Sequence, residues 1–115
     1  MKRGDVFMAN FEPRTGSEQH GTRPCVVVMH EGFLEVSTWF SVVVVSVSTS
    51  KNQLRRSLSV IDVAGQESGL EEASVALCHQ VTTLDKRKFG RKLGALTAVQ
   101  LLELEAGLKF ALHLS

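Results

Sequence analysis

Tyrosine is absent from the 115 residues, tryptophan occurs once, and proline and cysteine occur twice each. With only Pro13 and Pro24, the chain has few obligatory breaks and no proline-rich recognition segment. Cys25 and Cys78 lie in apolar stretches far apart in sequence, which reads as buried free thiols of a reducing compartment. A disulfide stays open on spacing alone, whereas a zinc site would need histidines at short intervals that the sequence does not supply. No apolar run approaches the ~20 residues a membrane span requires; the longest, Val42 to Val47, is broken by Ser46. An excess of one charge is missing too: 13 Lys and Arg face 12 Asp and Glu, for a net charge of +1. Any nucleic-acid binding must therefore come from local basic patches rather than the overall field. What is present is an ordinary globular composition, 43% hydrophobic and 22% charged, which excludes intrinsic disorder. Without internal repeats or low-complexity tracts, residues 1–115 are expected to form one domain. The N-terminus, Met1 to Asp5, has no signal-peptide core, so the expected location is cytoplasmic.

Hydrophobic period divides the chain in two. Asp5 to Phe11, Cys25 to Met29, Thr38 to Ser48, Leu58 to Val63 and Val75 to Val81 read as strands, rich in β-branched residues and separated by Gly- and Ser-containing turns. Trp39 and Phe40, adjacent in a strand, are expected to point to opposite faces. Asp85 to Leu96 mixes basic residues with Phe89, Gly90, Leu93 and Gly94 and fits a short helix or irregular segment. Thr97 and Gln100 form a capping box at the start of a helix. One face of that helix carries Leu101, Leu104, Leu108, Ala111 and Leu112. A second apolar stripe, Val99, Leu102, Ala106 and Phe110, lies beside it. So apolar a helix should pack on the sheet and on a partner chain as well, with Glu105 and Lys109 as its i,i+4 charge pair. Strands followed by one terminal helix give a mainly β (α+β) fold: a small β-barrel with a helix packed on it.

The chemistry concentrates in one connection. Glu12 to Arg23 is longer than most hairpin loops and lies between two strongly apolar strands. It gathers Arg14, Glu18, Gln19, His20 and Arg23. A carboxylate, an imidazole and two guanidinium groups on a loop held by rigid strands suit phosphate chemistry. A solvated polar loop is the plainer alternative. A further basic set, Lys86, Arg87, Lys88, Arg91 and Lys92 with Lys51, Arg55 and Arg56, can track a nucleic-acid backbone or simply solubilise a face. Phe33, Trp39 and Phe40 are candidates for base stacking, though core or dimer contact is the preferred reading. His79, among Leu77 and Val81, reads as a structural strand residue, and His30 and His113 carry no signal.

Several segments together resemble the MazF/PemK family of toxin endoribonucleases. They begin with Arg3-Gly4-Asp5-Val6, Pro13-x-x-Gly16-Ser17-Glu18-Gln19-x-Gly21-x-Arg23-Pro24 and Val26-Val27-Val28. They continue with Leu77-Cys78-His79-Gln80-Val81-x-Thr83-Leu84-Asp85-x-Arg87 and Leu93-Gly94-x-Leu96-Thr97, so the likeness spans nearly the whole chain. It implies an SH3-like barrel of the CcdB/PemK kind with a C-terminal helix, active as a homodimer. The implied activity is metal-independent, cofactor-free cleavage of single-stranded RNA at short sequence motifs. The neighbouring 2′-hydroxyl attacks the phosphate and leaves a 2′,3′-cyclic phosphate and a 5′-hydroxyl. A cognate antitoxin is the implied partner, with operator DNA reached only through it and no membrane involved.

The resemblance carries roles onto particular residues. Arg23 matches the family's functional arginine, and its planar fork can bond two equatorial oxygens of a five-coordinate phosphorus. Ser48 matches the functional Ser/Thr at the end of the central strand, with Thr49 beside it. This chain has Ser46 where many relatives have proline and serine rather than threonine at 48, so the choice between Ser48 and Thr49 stays open. Glu18 matches an acidic residue of the loop, as general base or as the group that orients Arg23. Arg14, Gln19, His20, Lys51, Arg55, Arg56 and Arg87 are the candidate RNA contacts. Two alternatives remain: a CcdB-like gyrase poison, disfavoured because the chain ends Leu112-His113-Leu114-Ser115 without a Trp-Gly-Ile tail, and a weakened relative that only binds RNA or antitoxin.

Overall fold

A computed structural model describes residues 1–13, 16, 21–49 and 57–115. Six antiparallel strands make one sheet: β1 (Asp5–Asn10), β2 (Thr22–Val27), β3 (Ser41–Ser48), β4 (Val60–Asp62), β5 (Val75–Asp85) and β6 (Phe89–Ala95). Their order is β4-β5-β3-β2-β1-β6. Helix α1 (Glu31–Leu34) joins β2 to β3, and α2 (Ala98–Ala111) follows β6. This is the mainly β fold with a C-terminal helix that the sequence implies.

Alternation along the strands creates two cores. On one face Val6, Val26, Val45, Val47, Ala76 and Cys78 pack with Leu104 of α2. On the other Ala9, Phe11, Cys25, Val27, Val42, Val44 and Leu84 pack with Leu34 of α1. The valine run of β3 therefore serves both, which is why it reads as continuous rather than alternating. β5 departs from regular pairing at one place: Val45 faces Val81 and Val47 faces Ala76. Two steps along β3 are matched by five along β5, a bulge that gathers Leu77–Gln80 beside Ser46.

Two segments differ from their sequence reading. Asp85 to Leu96 is not helical: Lys86–Lys88 form one 3₁₀ turn and Phe89–Ala95 form β6. The outer edge of β1 decides this, because Asp5 and Val6 pair with Ala95 and Gly94 and so satisfy backbone groups that would otherwise be orphaned. Arg91 and Lys92 suit β6 to the rim of a sheet, where charge discourages further pairing. Thr38, Trp39 and Phe40 are not in a strand. Turns after α1, closed by Val36 N–H to Phe33 and Trp39 N–H to Val36, delay β3 to Ser41. Trp39 and Phe40 are both exposed, and Trp39 lies against Phe33 with ring centroids 4.8 Å apart.

Helix α2 starts where the capping box places it. Thr97 Oγ1 accepts from Gln100 N–H at 3.1 Å and Gln100 Oε1 from Thr97 N–H at 3.0 Å. Leu101, Leu104, Leu108 and Ala111 face the core, while Leu112 caps the helix and is exposed. Glu105 is drawn off the helix surface to pair with Arg3, which also bonds the Val28 carbonyl. The Glu105–Lys109 pairing expected from i,i+4 spacing gives way to this tie between helix and N-terminus. The second stripe stays uncovered, with Val99, Leu102 and Phe110 exposed.

Candidate active site

Chain entry to the long first hairpin is fixed by hydrogen bonds at its base. Phe11 N–H donates to the Gly21 carbonyl at 2.9 Å, and Gly21 N–H donates to Glu12 Oε1 at 2.7 Å. Gly21 returns the chain with φ at 78°, a conformation that favours glycine. Lys88 reaches across from the 3₁₀ turn to the Glu12 carbonyl. Of the site residues expected in the loop, Arg14, Glu18, Gln19 and His20 lie outside the described residues, as do Lys51, Arg55 and Arg56 of the β3–β4 connection.

Arg23 is the second residue of β2, opposite Ala9 of β1, and its side chain is exposed. The following Pro24 excludes helical geometry and holds it extended. On the other side of β2 the register runs Cys25↔Ser46, Val26↔Val45, Val27↔Val44. Continued by two residues, it brings Arg23 level with Ser48. Alternation puts Arg23 on the face of Cys25 and Val27, and Ser48 on the face of Val44, the side turned away from α2. Ser48 is buried, whereas Thr49, one residue beyond the strand, is exposed. Strand order and phase together thus bring a guanidinium and a hydroxyl to one end of neighbouring strands, beside the base of the hairpin.

Two neighbours shape that end of the sheet. Ser46 is buried, and its Oγ is the buried side-chain polar atom left without a hydrogen-bond partner among the described residues. Cys25, opposite it, is a free thiol whose burial raises its pKa from 9.0 to about 12. Burial raises that of Cys78, also free, to about 11. Both thiols are protonated and unreactive at neutral pH.

The basic set is partly committed elsewhere. Arg87 turns back on Asp85, donating from Nε at 3.0 Å and from an Nη at 3.2 Å. That pairing lowers the Asp85 pKa and raises that of Arg87. Lys92 pairs with Asp5 at 3.4 Å. Phe33, Trp39 and Phe40 belong to the connection entering β3 at Ser41. Ser48 closes the same eight-residue strand, about 23 Å further along. The aromatic cluster is thus remote from Arg23 and Ser48.

His79 is exposed, not packed into the strand interior, and its Nδ1 lies 3.2 Å from Ser59 Oγ. Ser59 Oγ lies in turn 2.5 Å from Ser57 Oγ. Among the described residues no three His, Cys, Asp or Glu side chains gather as a metal-ligand set, and no helix is long and apolar enough to cross a membrane.

Comparison with known proteins agrees with the fold. The chain is 30% identical over all 115 residues to the endoribonuclease MazF of Staphylococcus epidermidis, covering 93% of that relative. The fold is similar to MazF of Deinococcus radiodurans, with a TM-score of 0.80 at 21% identity over 99% of this chain and 97% of the other. It is similar also to a mycobacterial endoribonuclease solved with its cognate antitoxin, with a TM-score of 0.79 at 20% identity over 98% and 95%. The family model described as PemK-like, MazF-like toxin of type II toxin-antitoxin system matches residues 2–112. On that match and the full-length relative, the chain belongs to the PemK-like, MazF-like family of type II toxins.

Proposed function

We propose that this toxin is an endoribonuclease that cuts single-stranded RNA by attack of the 2′-hydroxyl on the adjacent phosphorus. The observation that carries this reading is that Arg23 and Ser48 each lie two residues beyond the Cys25↔Ser46 pair on neighbouring strands, in the phase of one sheet face. As the 2′-oxygen bonds to phosphorus, negative charge builds on two equatorial oxygens. The Arg23 fork is matched to both, and it stabilises the transition state more than the ground state. Its high pKa suits it to electrostatic stabilisation rather than proton donation. The Ser48 hydroxyl donates to a phosphate oxygen; its buried position at the strand end favours it over Thr49. The P–O5′ bond then breaks, and the products carry a 2′,3′-cyclic phosphate and a 5′-hydroxyl. Glu18, on the hairpin loop, orients Arg23 or takes the 2′-OH proton, and Arg14, Gln19, His20, Lys51, Arg55, Arg56 and Arg87 guide the RNA. For Arg87 the cost of leaving Asp85 is small, because an exposed ion pair is worth little.

The working form is a homodimer in this reading, with the uncovered α2 stripe of Val99, Leu102 and Phe110 as the contact. A cognate antitoxin, as an acidic segment that orders on binding, competes with RNA for the Arg23 end of the sheet. That competition requires that RNA and antitoxin not occupy the same site together. Mapping cut sites on a long RNA in the presence of EDTA tests the activity. Cuts at a recurring short motif, each leaving a 5′ end that accepts a label only as a hydroxyl, are expected. An intact RNA, or 5′-phosphate ends, would contradict the reading.

A further inference from the structure

We infer that Glu12, gripped by Lys88, is a positioning residue that sets Arg23 at this site; the inference rests on the ribonuclease reading above. Glu12 stands two residues past the end of β1, where the long hairpin leaves the sheet. Three of its groups are held. Its N–H donates to Asn10 Oδ1 at 2.9 Å, its carbonyl accepts from Lys88 Nζ, and its Oε1 accepts the Gly21 N–H at 2.7 Å. The last bond crosses the hairpin from entry to exit, and Gly21 precedes Arg23 by two residues. A carboxylate that accepts a backbone N–H makes a charge-assisted bond, stronger than the neutral kind. It acts beside the bond from Phe11 N–H to the Gly21 carbonyl at 2.9 Å. Both backbone polar groups of Gly21 are thereby tied to the entry side of the hairpin.

Lys88 restrains Glu12 because its own backbone is fixed. Ala9 pairs with Arg23 on one side and with Phe89 on the other, so Lys88 stands one residue beyond the level of Arg23, across β1. Phe89 is held by that pairing and by its ring, edge-on to Phe7 with centroids 5.6 Å apart. The turn before it is closed by Arg87 N–H to Asp85 Oδ1 at 2.8 Å and by Lys86 N–H to the Phe40 carbonyl at 2.8 Å. A chain of contacts therefore runs from the turn between β5 and β6 through Lys88 and Glu12 to Gly21, and so into β2 at Arg23. Without it the hairpin base loses this link to β6, and the backbone entering Arg23 gains freedom. A guanidinium stabilises a five-coordinate phosphorus only from a narrow range of positions, and a displacement of about 1 Å can lower the rate about 10²-fold. What Glu12 supplies is an acceptor for the Gly21 N–H, so a neutral oxygen of the same reach serves in its place.

The test separates this assignment from the ribonuclease reading. Wild type, Glu12→Ala, Glu12→Gln and Lys88→Ala are compared in single-turnover cleavage of one RNA carrying a mapped cut site, each shown folded by circular dichroism. Binding is measured on the same RNA with a 2′-deoxy nucleotide at that site, and hydrogen exchange is followed at the Gly21 amide. Glutamine keeps an oxygen for the Gly21 N–H and removes the charge. Expected for Glu12→Ala is a cleavage rate lowered on the order of 10- to 10²-fold, with unchanged binding of the deoxy RNA and faster exchange at Gly21. Lys88→Ala is expected to change the same two quantities in the same direction, with the salt dependence of binding unaltered. Glu12→Gln is expected to cut within about threefold of wild type and to keep the Gly21 amide protected. Undiminished cutting by Glu12→Ala overturns the assignment and leaves the ribonuclease reading standing. A Glu12→Gln variant as slow as Glu12→Ala makes the charge the active element and overturns it too. Weaker binding by Lys88→Ala, with a salt slope reduced by about one, places Lys88 on a phosphate and overturns its grip on Glu12. An RNA left intact by wild type removes the ribonuclease reading itself, and this inference with it.

Discussion

Ser46 occupies the one position of β3 where a polar side chain is buried without a partner among the described residues. A hydroxyl in that situation loses its water hydrogen bonds and regains nothing. Ser46→Ala is therefore expected to raise stability by about 1 kcal/mol, read as a higher urea midpoint with an unchanged m-value; a comparable loss would show that the hydroxyl is bonded after all. The thiols give a second expectation. In the folded chain Cys25 and Cys78 have raised pKa values, so the folded state holds protons that the unfolded state releases above about pH 9. Stability is therefore unaffected by these groups below that pH and falls as pH rises through it, by up to about 1.4 kcal/mol per pH unit for each thiol. The chain has no tyrosine to confuse the window. Urea titrations from pH 7.5 to 10 should show that decline, reduced in Cys25→Ala; a flat profile would mean that the thiols are not buried as described.

At the scale of elements, α2 lies close on the sheet because of one residue. A Cβ added at Gly107 would stand 2.8 Å from Cys78 Sγ and 2.9 Å from Ile61 Cγ1. Gly107→Ala is expected to destabilise the fold by about 1–3 kcal/mol through overpacking, despite alanine's better helix propensity; a stabilised variant would mean that the helix is free to move outward. Helix α2 was also the most legible element, since Thr97, Gln100 and the leucine spacing are local signals. β6 was illegible for the opposite reason: nothing within Phe89–Ala95 says strand until β1 offers its edge. The start of β3 differs from its sequence expectation because α1 and its turns depend on His30, whose Nδ1 accepts the Gly32 N–H at 2.9 Å, a cap with no apolar period to announce it. Arg23 could be found from its motif, and Ser48 from its place at a strand end. The β5 bulge could not, since nothing in the residue pattern announces a shift of three residues in register.

For the whole molecule, the unresolved balance of surfaces is the apolar α2 stripe. Val99 is 65% and Leu102 67% exposed, a contiguous apolar strip of the sort that marks an interface. Leu102→Glu is expected to convert a dimer, seen by sedimentation, into a folded monomer with an unchanged circular dichroism spectrum. A wild-type monomer at micromolar concentration would contradict the homodimer itself, and a Leu102→Glu dimer would place the contact elsewhere. The net charge of +1 gives RNA little long-range attraction, so the proposed mechanism relies on local contacts at the Arg23 end rather than on overall field. The most direct measurement of the central claim is the single-turnover cleavage rate of Arg23→Ala beside wild type on a short single-stranded RNA. A fall on the order of 10²- to 10³-fold, with the fold intact and the same cut position, is the result expected of a guanidinium that neutralises the five-coordinate phosphorus. Undiminished cutting would contradict it.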